Sequence, residues 1–142
     1  MKILFDTNII LDVLLDRKPF SDLATALLSS VEKKELKGFL GTTTVTTIYY
    51  LATKVAGKKK ADQEISKLLS IFQIAPVNKY VLDEAIKSKF NDFEDSVLHE
   101  AAKQVGVQGI VTRNPKNFKK ATLSIYSPEE LHKMLISIIQ TF

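Results

Sequence analysis

The sequence predicts an α/β domain in which a parallel sheet is covered by helices on both faces. Three observations lead there. Short apolar runs that read as buried strands alternate along the chain with longer stretches whose apolar residues recur at helical spacing. No repeat, low-complexity tract or linker interrupts that alternation. The chain has 142 residues, 45% hydrophobic and 25% charged, which suits a single globular domain over residues 1–142 with a core of its own.

The elements follow in order. Ile3-Leu4-Phe5 is an apolar run that stops at Asp6, a strand with an acid at its C-terminal end. Ile9, Ile10, Val13 and Leu14 give the next stretch helical spacing, and Pro19 breaks it. A helix over Ser21 to Lys34 places Leu23, Leu27, Leu28 and Val31 on one face. Gly38-Phe39-Leu40-Gly41 is a short strand. The threonine run from Thr42 favours a strand by β-branching. However, Val45, Ile48, Tyr49 and Ala52 recur at helical spacing, so we expect a helix capped by Thr43 or Thr44 and ending before Gly57. Lys60 to Phe72 is a further amphipathic helix through Ile65, Leu68, Leu69 and Phe72. Ile74-Ala75 is a strand before Pro76, and Val81 to Lys89 a helix. Asn91 to Val105 is a helix with a stripe of Val97, Leu98, Ala101, Ala102 and Val105, stopped by Gly106. Gly109-Ile110-Val111-Thr112 is a buried strand, Arg113-Asn114-Pro115 a loop and Leu123-Ser124-Ile125-Tyr126 the last strand. Ser127 caps a final helix, with Pro128 at its first position and Glu130 completing a capping box.

Composition excludes several chemistries. There is no cysteine, so disulfides, thiolate metal sites and cysteine nucleophiles are out. His99 and His132 lie isolated in helices and read as structural. No GxGxxG, P-loop or GxSxG pattern occurs. The opening apolar stretch is too short for a signal peptide, and no apolar run approaches the roughly 20 residues of a membrane span. We expect a cytoplasmic protein with no membrane contact. The formal charge of +4 leans toward an anionic partner. Lys58-Lys59-Lys60 form one basic cluster and Lys116, Lys119 and Lys120 another, either solvated patches or contacts to phosphate.

In open parallel sheets, sites lie beyond the carboxyl ends of the strands. That directs attention to Asp6 with Thr7 and Asn8, to Asn91-Asp92-Phe93-Glu94-Asp95, and to Thr112-Arg113-Asn114. Each has a structural reading: Asp6, Asn8 or Asp92 as a helix cap, acids complementing a helix dipole, Asn-Pro as a turn. Yet Asp92 and Asp95 share a helix face, and Asp95 borders the apolar stripe, where a carboxylate needs a partner. Oxygen donors gathered at strand ends suit Mg²⁺ or Mn²⁺. Such an ion supports phosphodiester hydrolysis.

At this point the residues resemble a known family. Ile3-Leu4-Phe5-Asp6-Thr7-Asn8-Ile9-Ile10-Leu11-Asp12-Val13-Leu14 resembles the start of PIN domains. Asp92-Phe93-Glu94-Asp95-Ser96-Val97 resembles their second acidic block. Ile110-Val111-Thr112-Arg113-Asn114 with Asn117-Phe118 resembles their third strand and loop, and Thr47-Ile48-Tyr49-Tyr50-Leu51 their central helix. The resemblance implies a three-layer α/β/α sandwich with a central parallel sheet and Mg²⁺- or Mn²⁺-dependent cleavage of RNA. Many small members are VapC-type toxins that form homodimers and are silenced by an antitoxin peptide entering the acidic groove. Carried over, Asp6 matches the first metal-binding aspartate and Asp95 the third acidic position, with Asp92 beside it. Thr112 matches the hydroxyl residue near the fourth position, which here is Asn114.

Two positions depart from the family pattern. Thr47 stands where a glutamate is usual, and Asn114 where many members carry an acid. Asp92 or Glu94 then replaces the missing charge, or catalysis is weak and the chain is a nucleic-acid- or protein-binding module. On the ribonuclease reading the catalytic and metal-binding residues are Asp6, Asp92 and Asp95. Asn8, Thr47, Glu94, Thr112 and Asn114 support them, and Lys58, Lys59, Lys60, Arg113 and Lys116 contact RNA. Aspartyl-phosphate phosphatases also end a first strand in aspartate, but they want a second two residues on, where this chain has Asn8.

Overall fold

A computed structural model describes residues 1–88 and 90–141. The elements run β1 (Lys2–Phe5), α1 (Thr7–Leu14), α2 (Ser21–Glu32), β2 (Lys37–Gly41), α3 (Thr42–Ala56), α4 (Lys58–Ile71), β3 (Gln73–Ala75), α5 (Lys79–Lys87), α6 (Phe93–Gln104), β4 (Gly109–Val111), a 3₁₀ turn (Pro115–Phe118), β5 (Ser124–Tyr126) and α7 (Pro128–Thr141). The sheet has five strands in the order β3-β2-β1-β4-β5. Every neighbouring pair is parallel.

Strand alternation divides the core into two layers. Ile3 and Phe5 of β1 face a cluster with Ile9, Ile10, Leu27, Ile48, Leu68 and Leu131, drawn from α1, α2, α3, α4 and α7. Leu4, between them, faces the opposite cluster with Val81, Ala85, Val97, Leu98 and Ala101 of α5 and α6. Successive side chains of a strand point to opposite faces, so a strand sandwiched by helices must be apolar throughout. That is why Ile3, Leu4 and Phe5 are each fully buried. The result is the expected α/β/α arrangement.

The chain builds outward from β1 to β2 and β3, then returns to β1's other side to add β4 and β5. The reversal lies between β1 and β4, whose registers pair Phe5 with Val111. Asp6 and Thr112 therefore leave the sheet side by side. This topological switch point is where a crevice opens at the carboxyl ends of such sheets.

Several element boundaries differ from expectation, and those of α3 and α4 have packing reasons. Helix α3 starts at Thr42 with Gly41 as its cap, not at Thr43 or Thr44. A Cβ on Gly41 would lie 2.7 Å from Leu98 Cδ2, so the helix begins where the backbone touches α6. Its threonine hydroxyls are used elsewhere: Thr42 Oγ1 accepts the Val77 N–H at 3.2 Å. Helix α4 starts at Lys58, two residues early, because Gly57 at φ 86 turns the chain directly from one helix into the next. Leu69, placed on the buried stripe of that helix, is 47% exposed, and Ala61 and Leu68 make the contact instead. Of the helix expected to reach Lys89, α5 ends at Lys87 and Lys89 lies outside the described residues. His99 is structural as expected: it is buried, and its Nε2 accepts the Thr122 N–H at 3.0 Å.

No helix among the described residues is long and apolar enough to cross a membrane.

Candidate active site

Asp6 caps α1. Its Oδ1 accepts the Thr7 N–H at 2.8 Å. Its Oδ2 accepts the Thr112 hydroxyl at 2.7 Å, a bond that ties the end of β1 to the end of β4. Thr112 Oγ1 also accepts the Asn114 N–H at 3.1 Å, so one hydroxyl fixes both the acid and the loop that follows β4. Asn8 Nδ2 stands 3.4 Å from the same Asp6 oxygen. Asp6 is 8% exposed, and burial raises its pKa above the ordinary carboxylate range. The Thr112 and Thr7 hydrogen bonds and the Arg113 charge pull the other way, while the Asp92 charge raises it further.

Beneath this lies a second acid that the sequence reading passed over. Asp12 sits on the inner face of α1 with no solvent exposure. Arg113 closes on it with two bonds, Nε to Oδ2 at 2.7 Å and the terminal Nη to Oδ1 at 3.2 Å, and Arg17 approaches to 3.8 Å. The other side of Arg113 lies against the Phe20 ring, 4.0 Å from its centroid. Arg113, expected to contact RNA, also neutralises this buried carboxylate. A signal was present: Asp12 falls among Ile9, Ile10 and Val13 at helical spacing, and an acid so placed demands a buried cation.

The second acidic block arrives from α6. Asp92 is the N-cap of that helix, accepting the Asp95 N–H at 3.2 Å, so its structural reading holds. Asp95 is half-buried and its carboxyl is pushed up to about 7, first by burial and then by the charges of Asp6, Asp92 and Glu94. Asp6 and Asp95 are thus close enough to repel each other, although they lie far apart in the sequence. Glu94 is exposed beside them.

The site is not the preformed cage of three acids that the sequence suggested. Among the described residues, no three Asp, Glu or His side chains converge tightly enough to hold a metal by themselves. One oxygen of Asp92 serves the helix cap. The donor set nevertheless fits a hard divalent cation. It is all oxygen, the charges of Asp6, Asp92 and Glu94 crowd Asp95, and the buried Asn8 Oδ1 beside Asp6 has no hydrogen-bond partner among the described residues. Mg²⁺ keeps several of its waters and needs one or two carboxylates.

Thr47, the residue at the usual glutamate position, is half-buried on α3. The threonine that reaches the Asp6 loop is Thr44, one turn earlier and fully buried, with its Oγ1 2.9 Å from Thr7 Oγ1. Nothing local distinguishes it among five threonines within six residues, Thr42 to Thr47.

Asp92 and Asp95 line a cleft of about 210 Å³ whose other wall carries Lys116, Asn117, Lys119 and Lys120. Acid and base therefore share one opening, with Lys116 among its lining residues. The other basic cluster lies elsewhere. Lys58–Lys60 follow α3, whose 15 residues span about 22 Å from the sheet edge. Lys58 and Lys60 also pair with Asp62 and Glu64 at 2.9 and 3.1 Å.

The fold and the strand-end acids define a class. A family model for the PIN domain matches residues 2–116, and the chain belongs to that family. Among individual proteins, it is similar to Ribonuclease VapC1 of Aquifex aeolicus (strain VF5), at 25% identity over 91% of this chain and 92% of that protein. A toxin–antitoxin complex from Klebsiella pneumoniae superposes with a TM-score of 0.69 at 21% identity, over 89% of this chain and 97% of that one. VapC20 of Mycobacterium tuberculosis, a sarcin–ricin loop-cleaving toxin, does so with a TM-score of 0.61 at 15% identity, over 76% of this chain and 86% of that one. At these identities the two structures support the fold.

Proposed function

We propose that this chain is a metal-dependent ribonuclease, acting in the cytoplasm as the toxin of a toxin–antitoxin pair. The carrying observation is the convergence of Asp6 and Asp95 at the sheet's switch point, where like charges crowd Asp95. The similarity to Ribonuclease VapC1 supports RNA as the substrate.

On this reading Asp6 and Asp95 hold Mg²⁺ or Mn²⁺, and Asp92 and Glu94 add negative charge beside them. When bound, the ion supplies Lewis-acid activation of a phosphoryl oxygen and a water of lowered pKa. The chain's own residues do the positioning. Thr112 and Thr7 fix both oxygens of Asp6. Lys116 and Lys119, across the cleft from Asp95, attract the phosphates of the strand. Asn8 and Asn114 offer amide oxygens and nitrogens to bound water, and Thr47 contributes at most a hydroxyl. Lys58–Lys60 serve as a more distant electrostatic contact. The antitoxin occupies the same acidic groove. On this reading the chain acts as a homodimer.

The test is cleavage of a mixed RNA pool with Mg²⁺ or Mn²⁺ by the wild type and by Asp6→Asn. Cleavage that needs the metal and falls at least 100-fold in the folded variant is the expected result. A folded wild type that cuts nothing would favour the binding-module reading, with the neutral Thr47 as the cause.

A further inference from the structure

A second concavity of about 470 Å³ opens beside the loop that follows β4, lined by Phe20, Arg113, Asn114 and Glu129 with Asp12 at its base. Its size is that of a small-ligand pocket. Its chemistry differs from that of the lysine-walled cleft. Arg113 is the basic group on this wall, and its charge is already met by buried Asp12 at 2.7 and 3.2 Å. Glu129, in the first turn of α7, adds an acid to the lining. A phosphate gains little here. The pocket instead offers planar and hydrogen-bonding surfaces. Phe20 is 41% exposed, unusual for a phenylalanine, and its ring is braced by the guanidinium 4.0 Å from its centroid. The guanidinium is in turn fixed by two bonds to a helix in the core, so the stack is held in place before any ligand arrives, which lowers the ordering cost of binding. Asn114 provides an amide donor and acceptor, and Glu129 an acceptor for ring or exocyclic N–H groups. An aromatic face, a guanidinium plane and side chains that read donors and acceptors are what an unstacked nucleobase requires.

We propose that this pocket binds a nucleobase of single-stranded RNA next to the phosphate that is cut, and so sets the sequence preference of cleavage. The inference rests on the ribonuclease reading above. The connection to the acids is direct: Asn114 lines the pocket, and its N–H bonds to the Thr112 hydroxyl that holds Asp6. A base seated against Phe20 therefore registers the neighbouring phosphate against Asp6 and Asp95, while the rest of the strand follows Lys116 and Lys119. Substrates with splayed, unpaired bases are selected over duplex.

The experiment maps cleavage sites in a random RNA pool for wild type, Phe20→Ala and Phe20→Tyr, and measures KM on the preferred oligoribonucleotide and on one with abasic ribose beside the cut. Loss of one stacked base weakens binding by about tenfold or more. The expected result is that Phe20→Ala flattens the base preference and raises KM about tenfold, Phe20→Tyr retains both, and the abasic substrate behaves alike with wild type and Phe20→Ala. Glu129→Gln is expected to change which base is preferred. An equally sharp preference in folded Phe20→Ala overturns the pocket while leaving the ribonuclease reading in place. Unchanged RNA cleavage by Phe20→Ala, combined with lost binding of an inhibitory protein, overturns it in favour of a protein-docking site. A wild type with no metal-dependent cleavage overturns both readings.

Discussion

The two acidic regions of this chain are built on opposite terms. At the ends of β1 and β4, charge is buried and answered: Asp12 meets Arg113 in a two-point pair, and Asp6 accepts from Thr112 and Thr7. At the start of α6, charge is half-open and unanswered: Asp92 caps the helix, Glu94 is exposed, and Asp95 is raised to about 7 by its neighbours. The first region is what a fold does with buried acids, since an unpaired one costs several kcal/mol. The second is structural only in part: Asp92 caps α6, and Glu94 and Asp95 lie in its first turn, where the helix dipole favours acids. An acid left in repulsion at a strand-end crevice points to a ligand that relieves it. The contrast separates scaffold from site more sharply than burial alone, because Asp12 is more buried than Asp6 yet faces a partner inside the protein.

The comparison can be broken at either region. The largest effect on stability is expected from Arg113→Ala, which strands the Asp12 carboxylate. Breaking a buried pair from one side costs about 3 kcal/mol, with Arg17 at 3.8 Å limiting the loss. Urea unfolding of the variant measures it, and a loss below about 1 kcal/mol would demote the pair to an ordinary surface contact. Thr112→Val comes next. It removes a hydrogen bond to a carboxylate in a fully buried position, worth about 1.5–3 kcal/mol. The same change should raise the Asp6 pKa further, because that bond holds it down. A variant as stable as wild type at neutral pH would show that the bond is replaced by solvent.

The smallest effect concerns pH. Asp95 binds its proton more tightly in the folded chain than in the unfolded one, so folding takes up a proton between the two values. Its contribution is fully present below the ordinary carboxylate range and is lost as pH rises through about 7. The metal-free protein should therefore melt at a lower temperature at pH 8 than at pH 6, and Asp95→Asn should flatten that slope. An equal slope in the variant would assign the dependence to other groups.

Much of this was legible in the residues. The strand order was not, but the position of the site was: Asp6 and Thr112 directly follow apolar runs, and a parallel sheet sends both to one edge. Asp95 was marked by the conflict between its charge and the adjoining Val97-Leu98 stripe. What escaped was partnership. The i, i+3 spacing of Asp92 and Asp95 suits both a shared ion and a helix cap, and the structure spends Asp92 on the cap. Arg113 looked like a phosphate contact because nothing local ties it to Asp12, 101 residues away. Thr44 could not be told from its neighbours, since its hydroxyl is selected by a crossing of α3 with the Asp6 loop. Local patterns reveal which groups need partners; the tertiary fold decides which partners they take.

The central claim is that Asp95, crowded by its acidic neighbours, holds a divalent cation together with Asp6. Titration calorimetry of Mn²⁺ into wild type and Asp95→Asn, at pH 8 and again at pH 6, tests it most directly. The account predicts binding by the wild type that weakens as pH falls below about 7, where the proton competes for Asp95, and loss of that binding in the folded variant. Mn²⁺ affinity that is the same in both proteins and at both pH values would contradict it.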